Sequence, residues 1–196
     1  MHPALLFAVI WLGWLISWMV AALWSDRTAK RLLTWDVLVY RILILAGAIL
    51  SWPLTARHLG LKRIWQVGYT GAYLLATVTL AGILFAWWAR IHLGRLWSSA
   101  VTRKEHHHVV DTGPYSLVRH PIYTGLLTSA LASTIAQATA TTVGGWILIV
   151  LGVWVKAHAE ERFLAVELEP NAYASYRLRV PMLLPFVQRE RLGSRQ

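Results

Sequence analysis

Long apolar runs separated by short polar segments limit what this chain can fold into. A membrane-crossing helix needs about 20 largely apolar residues. Such runs recur at Ala4–Trp24, Val37–Leu54, about Val67–Trp88, Pro121 to about Ala138, and about Val143 to Ala157. The pattern predicts an all-α integral membrane protein with five transmembrane helices. Composition agrees, with 57% hydrophobic and 14% charged residues, where soluble domains carry roughly 25% charge. The first run has neither a basic segment before it nor a small-residue cleavage site after it, so it is read as a retained helix and not as a signal peptide. The last two runs are rich in Ala, Ser, Thr and Gly and are joined by few residues. They predict a tight C-terminal helical hairpin, because small side chains let helices approach closely. The fifth helix is expected to continue past the bilayer through Glu160 and Glu161. The chain reads as one domain, with residues 1–88 carrying helices one to three and residues 89–196 carrying helices four and five and the tail.

The net charge of +10 raises the question of nucleic acid. The basic residues lie between the apolar runs, however, which is the pattern of membrane topology. Of the nineteen Lys and Arg residues, Arg57, Lys62 and Arg63 fall on one side of a five-span arrangement and Arg41 falls within a span, while all the others fall on the opposite side. The excess predicts a cytoplasmic loop at 89–120, a cytoplasmic C-terminal tail and an N-terminus outside. The nine acidic residues fall on the cytoplasmic side as well. The membrane is the expected partner and nucleic acid is not, and the sequence assigns no oligomeric state.

The polar punctuation is densest at "GPYSLVRHPIYTG", Gly113 to Gly125. Pro121 suits the first position of a helix, and His120 before it is driven toward an extended conformation. The N–H groups of Ile122 and Tyr123 then face the boundary beside Arg119 and His120. This corner suits an anion such as a carboxylate; it equally suits an interfacial helix start with Arg119 on lipid phosphates. In "KAHAEERFL", Lys156 and Glu160 share a helix face, as do His158 and Arg162. Glu160 could accept hydrogen bonds from a ligand, or the pair could be a solvated helix end. "EHHHVV", Glu105 to Val110, lacks the spacing of helical zinc ligands and reads as a loop lining a ligand, with no metal expected. The other histidines lie at helix ends, which disfavours a bundle haem, and the spans hold almost no ionisable groups for a transport path. The tail "YASYRLRVPMLLP" places Tyr173, Tyr176 and Arg179 at helical spacing, either as a helix lying on the bilayer or as a lid over the site. No glycine-rich dinucleotide fingerprint follows a predicted strand.

The order "ARIHLGRLWS", "VVDTGPYSLVRHPIYTG", helical hairpin, "EERFL", "YASYRLRVPMLLP" resembles the isoprenylcysteine carboxyl methyltransferase family. This family lies within the integral-membrane methyltransferases that also include phospholipid N-methyltransferases. The resemblance covers about residues 89–186. It implies S-adenosyl-L-methionine as donor and a cytoplasmic pocket built from the last two helices and their flanking loops. It places His107, His108, Val109, Val110, Tyr115, His120, Pro121, Ile122, Tyr123 and Glu160 around the donor. It also implies that Lys156 stands where an arginine holds the substrate carboxylate, a departure that exchanges a planar fork for a point charge. Lys156, Glu161 and Arg179 are the candidate catalytic residues.

The expected reaction is methyl transfer to a lipidic acceptor at the inner leaflet, as carboxyl O-methylation of an isoprenylcysteine-like substrate. An amine acceptor, as in phospholipid N-methylation, would need a base such as Glu161 or His158. A non-enzymatic membrane carrier or assembly subunit is the alternative of another class.

Overall fold

The computed structural model describes residues 2–24, 28–31, 35–97, 102–104, 109–167 and 170–185. Seven α-helices dominate: α1 (Pro3–Ala22), α2 (Trp35–Ser51), α3 (Pro53–His58), α4 (Tyr69–Leu93), α5 (Pro121–Gln137), α6 (Ala140–Glu167) and α7 (Pro170–Arg179). A two-stranded antiparallel ribbon, β1 (Thr28–Arg31) with β2 (Thr102–Lys104), joins two of the basic loops. The apolar-run pattern gave no sign of it.

Proline sets several helix starts. Pro3 and Pro121 open α1 and α5, where the missing N–H would have no intrahelical partner in any case. Pro53 does the same for α3 and holds Trp52 extended. The second run therefore ends at Ser51, short of the expected Leu54. α4 continues to Leu93 through "ARIHL" before Gly94 ends it with φ 57°, so the polar region begins later than the composition suggested. α6 spans 28 residues, about 42 Å at 1.5 Å per residue. It exceeds a hydrocarbon core of roughly 30 Å and runs on through Glu160 and Glu161, as expected.

Among the described residues, three helices, α1, α4 with its following turn, and α6, are long and apolar enough to cross a membrane. α2 and α5 have 17 residues each.

The expected hairpin is present: α5 and α6 are joined by a turn at Ala138, whose φ is 56°, and they touch near it through small residues, Thr134 Oγ1 donating to the Thr142 carbonyl at 3.4 Å. Their longer contacts run elsewhere, α5 along α4 and α6 along α2. A Cβ on Gly125 would meet the Gly82 carbonyl, and one on Gly82 would lie 2.6 Å from the Gly125 carbonyl. Ser129 Oγ donates to the Thr79 carbonyl at 2.8 Å in the same seam. In the other pair, a Cβ on Gly145 would lie 2.6 Å from the Gly47 carbonyl and would strike Ser51 Oγ. Close backbone approach is what holds helices together where lipid removes the hydrophobic drive. Gly145→Val is therefore expected to lower stability in detergent by about 1–3 kcal/mol. Gly144→Ala is the control: its Cβ meets nothing within 4 Å, and alanine stabilises a helix interior by about 0.5–1 kcal/mol. Thermal melts of the two variants check this.

α1 lies on α4 through indoles, with Trp18 5.3 Å from Trp87 and 5.6 Å from Trp97. Arg90, fully buried near the end of α4, closes this corner. Its guanidinium donates to the carbonyls of Gly94 at 2.6 Å, Ala21 at 2.8 Å and Trp24 at 3.0 Å. Helix C-termini expose carbonyls that need donors, and Arg90 serves the ends of α1 and α4 together. On the opposite edge, Ile64 N–H donates to the Ala138 carbonyl at 2.7 Å, and Trp65 Nε1 to the Ile135 carbonyl at 3.0 Å. The loop after α3 is thus tied to the α5–α6 turn.

Candidate functional site

The site is built around the start of α5. A 3₁₀ turn at Gly113–Ser116 precedes it. Gly113 has φ 57°, and a Cβ there would lie 2.7 Å from the His92 ring, so both conformation and space require glycine. His92 bonds Thr112 Oγ1 at 2.9 Å and stacks on Tyr115. The chain then reaches Arg119 and His120, and Pro121 starts the helix.

The C-terminal segment crosses this corner as a strap. Pro181 and Met182 carbonyls accept the N–H groups of Arg119 at 2.8 Å and His120 at 3.1 Å. Thr124 Oγ1 donates to the Leu183 carbonyl at 2.7 Å. Tyr176 of α7 donates its hydroxyl to the Tyr115 carbonyl at 2.8 Å. Burial raises the pKa of the Tyr115, Tyr173 and Tyr176 phenols, so they act as neutral hydrogen-bonding groups. Of the two readings of the tail, a cover over the corner matches these contacts.

Beneath the strap lies a buried charge cluster shared by α5 and α6. Arg119 Nε and Nη2 each reach Glu161 Oε1 at 2.7 Å, and both side chains are 3% exposed. The remaining Arg119 nitrogen donates to the carbonyls of Arg177, at 3.0 Å, and Val180. Arg119 is therefore committed to protein, which corrects its reading as a group facing lipid phosphates or an incoming anion. Arg177 Nε lies 3.3 Å from the second Glu161 oxygen.

His120 stands between the two carboxylates, with Nδ1 3.5 Å from Glu160 Oε2 and Nε2 3.4 Å from Glu161 Oε1. Burial opposes charge on the imidazole, but the pairing with Glu160 and Glu161 outweighs it and holds the pKa above 6.5. Nε2 is buried and lacks a well-aligned hydrogen-bond partner. Tyr123, stacked on His120 at 5.3 Å, donates its hydroxyl to Glu160 Oε1 at 2.7 Å. Lys156 Nζ lies 3.9 Å from the same oxygen. Four cations, Arg119, His120, Lys156 and Arg177, thus surround two carboxylates, and the excess positive charge suits an anionic ligand.

The predicted residues separate on this geometry. His120, Tyr123, Lys156, Glu160 and Glu161 come together. Pro121 is buried at the corner. Tyr115, Val110 and Ile122 pack beside it with Ala89 and Trp97, and Val109 packs against Tyr173 and Tyr176. Arg179 lies apart: it is 63% exposed and pairs with Asp111 at 3.2 Å. His158 also points elsewhere, bonding the Trp154 carbonyl at 2.8 Å. His107 and His108 lie outside the described residues. The Arg177 contact was not anticipated, although it stands four residues after Tyr173 on the same predicted helix. Tyr40 of α2, which joins the cluster through Lys156, carried no sequence signal.

These features define a helical membrane protein with a buried, cation-rich centre at helix ends, closed by its own C-terminal segment. A sequence model of the Isoprenylcysteine carboxyl methyltransferase (ICMT) family matches residues 74–166, which takes in α5, nearly all of α6 and the charge cluster apart from Arg177. Protein-S-isoprenylcysteine O-methyltransferase B of Arabidopsis thaliana is 26% identical over 130 residues, covering 65% of this chain and 64% of that protein. The probable protein-S-isoprenylcysteine O-methyltransferase of Oryza sativa subsp. indica is 27% identical over 137 residues, covering 65% of this chain and 66% of that protein. The matched part thus spans slightly under two thirds of the length of these relatives. Over this segment the chain is similar to the isoprenylcysteine carboxyl methyltransferase family.

Proposed function

We propose that the protein transfers a methyl group from S-adenosyl-L-methionine to the carboxylate of a prenylated, isoprenylcysteine-like acceptor at the membrane surface. The observation that carries this reading is Glu160: a carboxylate 17% exposed and held by His120, Tyr123 and Lys156 inside the segment that matches the family. The names of the plant relatives support the same acceptor class.

The residues present fit such a donor. His120 Nε2 is a buried polar atom without an aligned partner, and it sits in an environment of excess positive charge. A protonated imidazole can hold the donor's carboxylate, and Glu160 can accept from its amine or ribose hydroxyls. The bound donor supplies an electrophilic methyl on a sulfonium. Tyr115, Ile122 and Val110 pack around the corner, and the strap from Val180 to Leu183 keeps water from it. His107 and His108 are included in the donor set on the resemblance alone.

A carboxylate acceptor is already nucleophilic at neutral pH and needs no general base. Alignment is then the main catalytic task, worth roughly 7–11 kcal/mol in favourable cases. Lys156 is assigned to the acceptor carboxylate. Glu161, locked by Arg119, is a positioning residue that fixes His120 and the strap. Arg179 serves the strap through Asp111. In the wider architecture, α2 and α5 join the three longer helices as spans. Five spans with an outward N-terminus put the cluster and tail in the cytoplasm, with residues 89–196 as the methyl-transfer core and the first helices as its membrane support.

The test uses the protein in lipid nanodiscs with methyl-labelled donor and S-farnesyl-N-acetylcysteine. The expected product is a base-labile methyl ester, and N-acetylcysteine without the lipid tail should react poorly. Base-stable label on amine lipids, with none on the carboxylate, would establish the N-methyltransferase reading instead. Failure to bind S-adenosylhomocysteine would favour a non-enzymatic role.

A further inference from the structure

Tyr40 lies in α2, outside the segment that matches the family. Its side chain is 3% exposed, wedged with Val37 against Phe163, Val155 and Leu164 of α6. Its hydroxyl is buried and makes no well-aligned hydrogen bond, with Arg41 the side chain that acts on it most strongly. An unmade buried hydrogen bond costs about 1–3 kcal/mol, and a phenylalanine would fill the same space without that cost. The hydroxyl therefore needs an explanation that packing does not supply.

Its neighbours indicate one. Lys156 Nζ lies 5.5 Å from the centre of the Tyr40 ring and 5.1 Å from that of Tyr123. Both aromatic rings thus lie at distances from the ammonium where cation–π attraction operates. Tyr123 already gives its hydroxyl to Glu160, whereas Tyr40 does not, although it stands within electrostatic reach of that carboxylate. The tyrosine pair is therefore asymmetric: one hydroxyl is consumed by the protein and one is left over beside a cation.

A carboxylate presents two oxygens and about four acceptor positions. An ammonium meets it as a point charge and does not fix both oxygens in a plane as a guanidinium would. An acceptor carboxylate at Lys156 needs a second donor to hold its orientation for in-line attack. We propose that Tyr40 is that donor: its hydroxyl binds the second oxygen of the acceptor carboxylate, making α2 part of the acceptor site. The inference rests on the carboxyl-methylation reading above. It gives a signature-free helix a direct role in substrate recognition.

Tyr40→Phe tests it, measured with S-farnesyl-N-acetylcysteine in nanodiscs. The ring, its packing and its contact with Lys156 remain, and the unsatisfied hydroxyl is gone, so the variant should melt at or above the wild-type temperature. The expected result is a rise in acceptor KM of roughly tenfold or more, the size of a lost hydrogen bond to a charged group. Calorimetric affinity for S-adenosylhomocysteine should be unchanged, and kcat should fall much less than KM rises. An unchanged acceptor KM in a variant that melts normally overturns the role of Tyr40 while leaving the methylation reading intact. Wild-type protein that binds S-adenosylhomocysteine but forms no methyl ester overturns that reading, and this inference with it. A loss of S-adenosylhomocysteine affinity equal to the loss in KM assigns Tyr40 to general packing and also overturns the proposal.

Discussion

Glu161→Ala is expected to be the most destabilising single change at the site, costing about 3–5 kcal/mol, the usual consequence of leaving a buried charge without its partner. Arg119 would keep its two carbonyl contacts but lose both short bonds to the carboxylate, and His120 and Arg177 would lose a counter-charge. The charge and packing contributions separate in a second variant. Arg119→Met with Glu161→Leu removes both ions at similar volume, and such exchanges of buried pairs are often neutral. Here recovery should be partial, because the Arg177 and Val180 carbonyls lose the donor that tied them down. Thermal melts report stability. Limited proteolysis after Arg177 and Arg179 reports the strap, which should become accessible in both variants while α5 and α6 stay protected in the double variant. Equal stability of Glu161→Ala and wild type would mean that the cluster is hydrated and the pair contributes little.

The legible parts of this protein were those set by local backbone rules. Pro121 opens α5, His120 precedes it outside the helix, and α6 runs on through Glu160 and Glu161, as the sequence implied. Partner choice was harder. The glycines and serines of the last two runs announced close packing, but composition does not say against what. The seam partners, Gly82 with Gly125 and Gly47 with Gly145, lie in helices far apart in sequence. Arg119 shows the same limit at a single residue. A charge beside an apolar run looks like a lipid contact until the fold brings Glu161 to it from 42 positions away. The strap was visible as a tyrosine-rich tail, but its grip comes from main-chain carbonyls of Pro181 and Met182, which no side-chain pattern encodes. Tyr40 had no signal at all, because an apolar span absorbs an aromatic residue without changing its periodicity.

His120→Ala is expected to have the largest functional effect, weakening S-adenosylhomocysteine binding by roughly 10- to 150-fold, the equivalent of 1.5–3 kcal/mol for hydrogen bonds that involve a charge. Part of the loss comes from Glu160, which would lose a counter-ion it faces at 3.5 Å. His120→Gln separates shape from charge, since it retains a donor but carries no proton that titrates. The sign of the pH dependence follows from the environment. The folded-state pKa is raised above 6.5, so the protonated ring adds stability that is fully present below 6.5. That contribution is lost as pH rises through the folded-state value, when the ring gives up its proton between two carboxylates. Wild-type melting temperature and ligand affinity should therefore decline together as pH rises from 6.5 through the folded-state value, while His120→Gln should be flat across the same range and should bind weakly at the acid end. A wild-type affinity that rises with pH would mean that the neutral ring binds the ligand. The anion would then have to be held by Lys156 or Arg177, which face Glu160 and Glu161, since Arg119 is committed to protein.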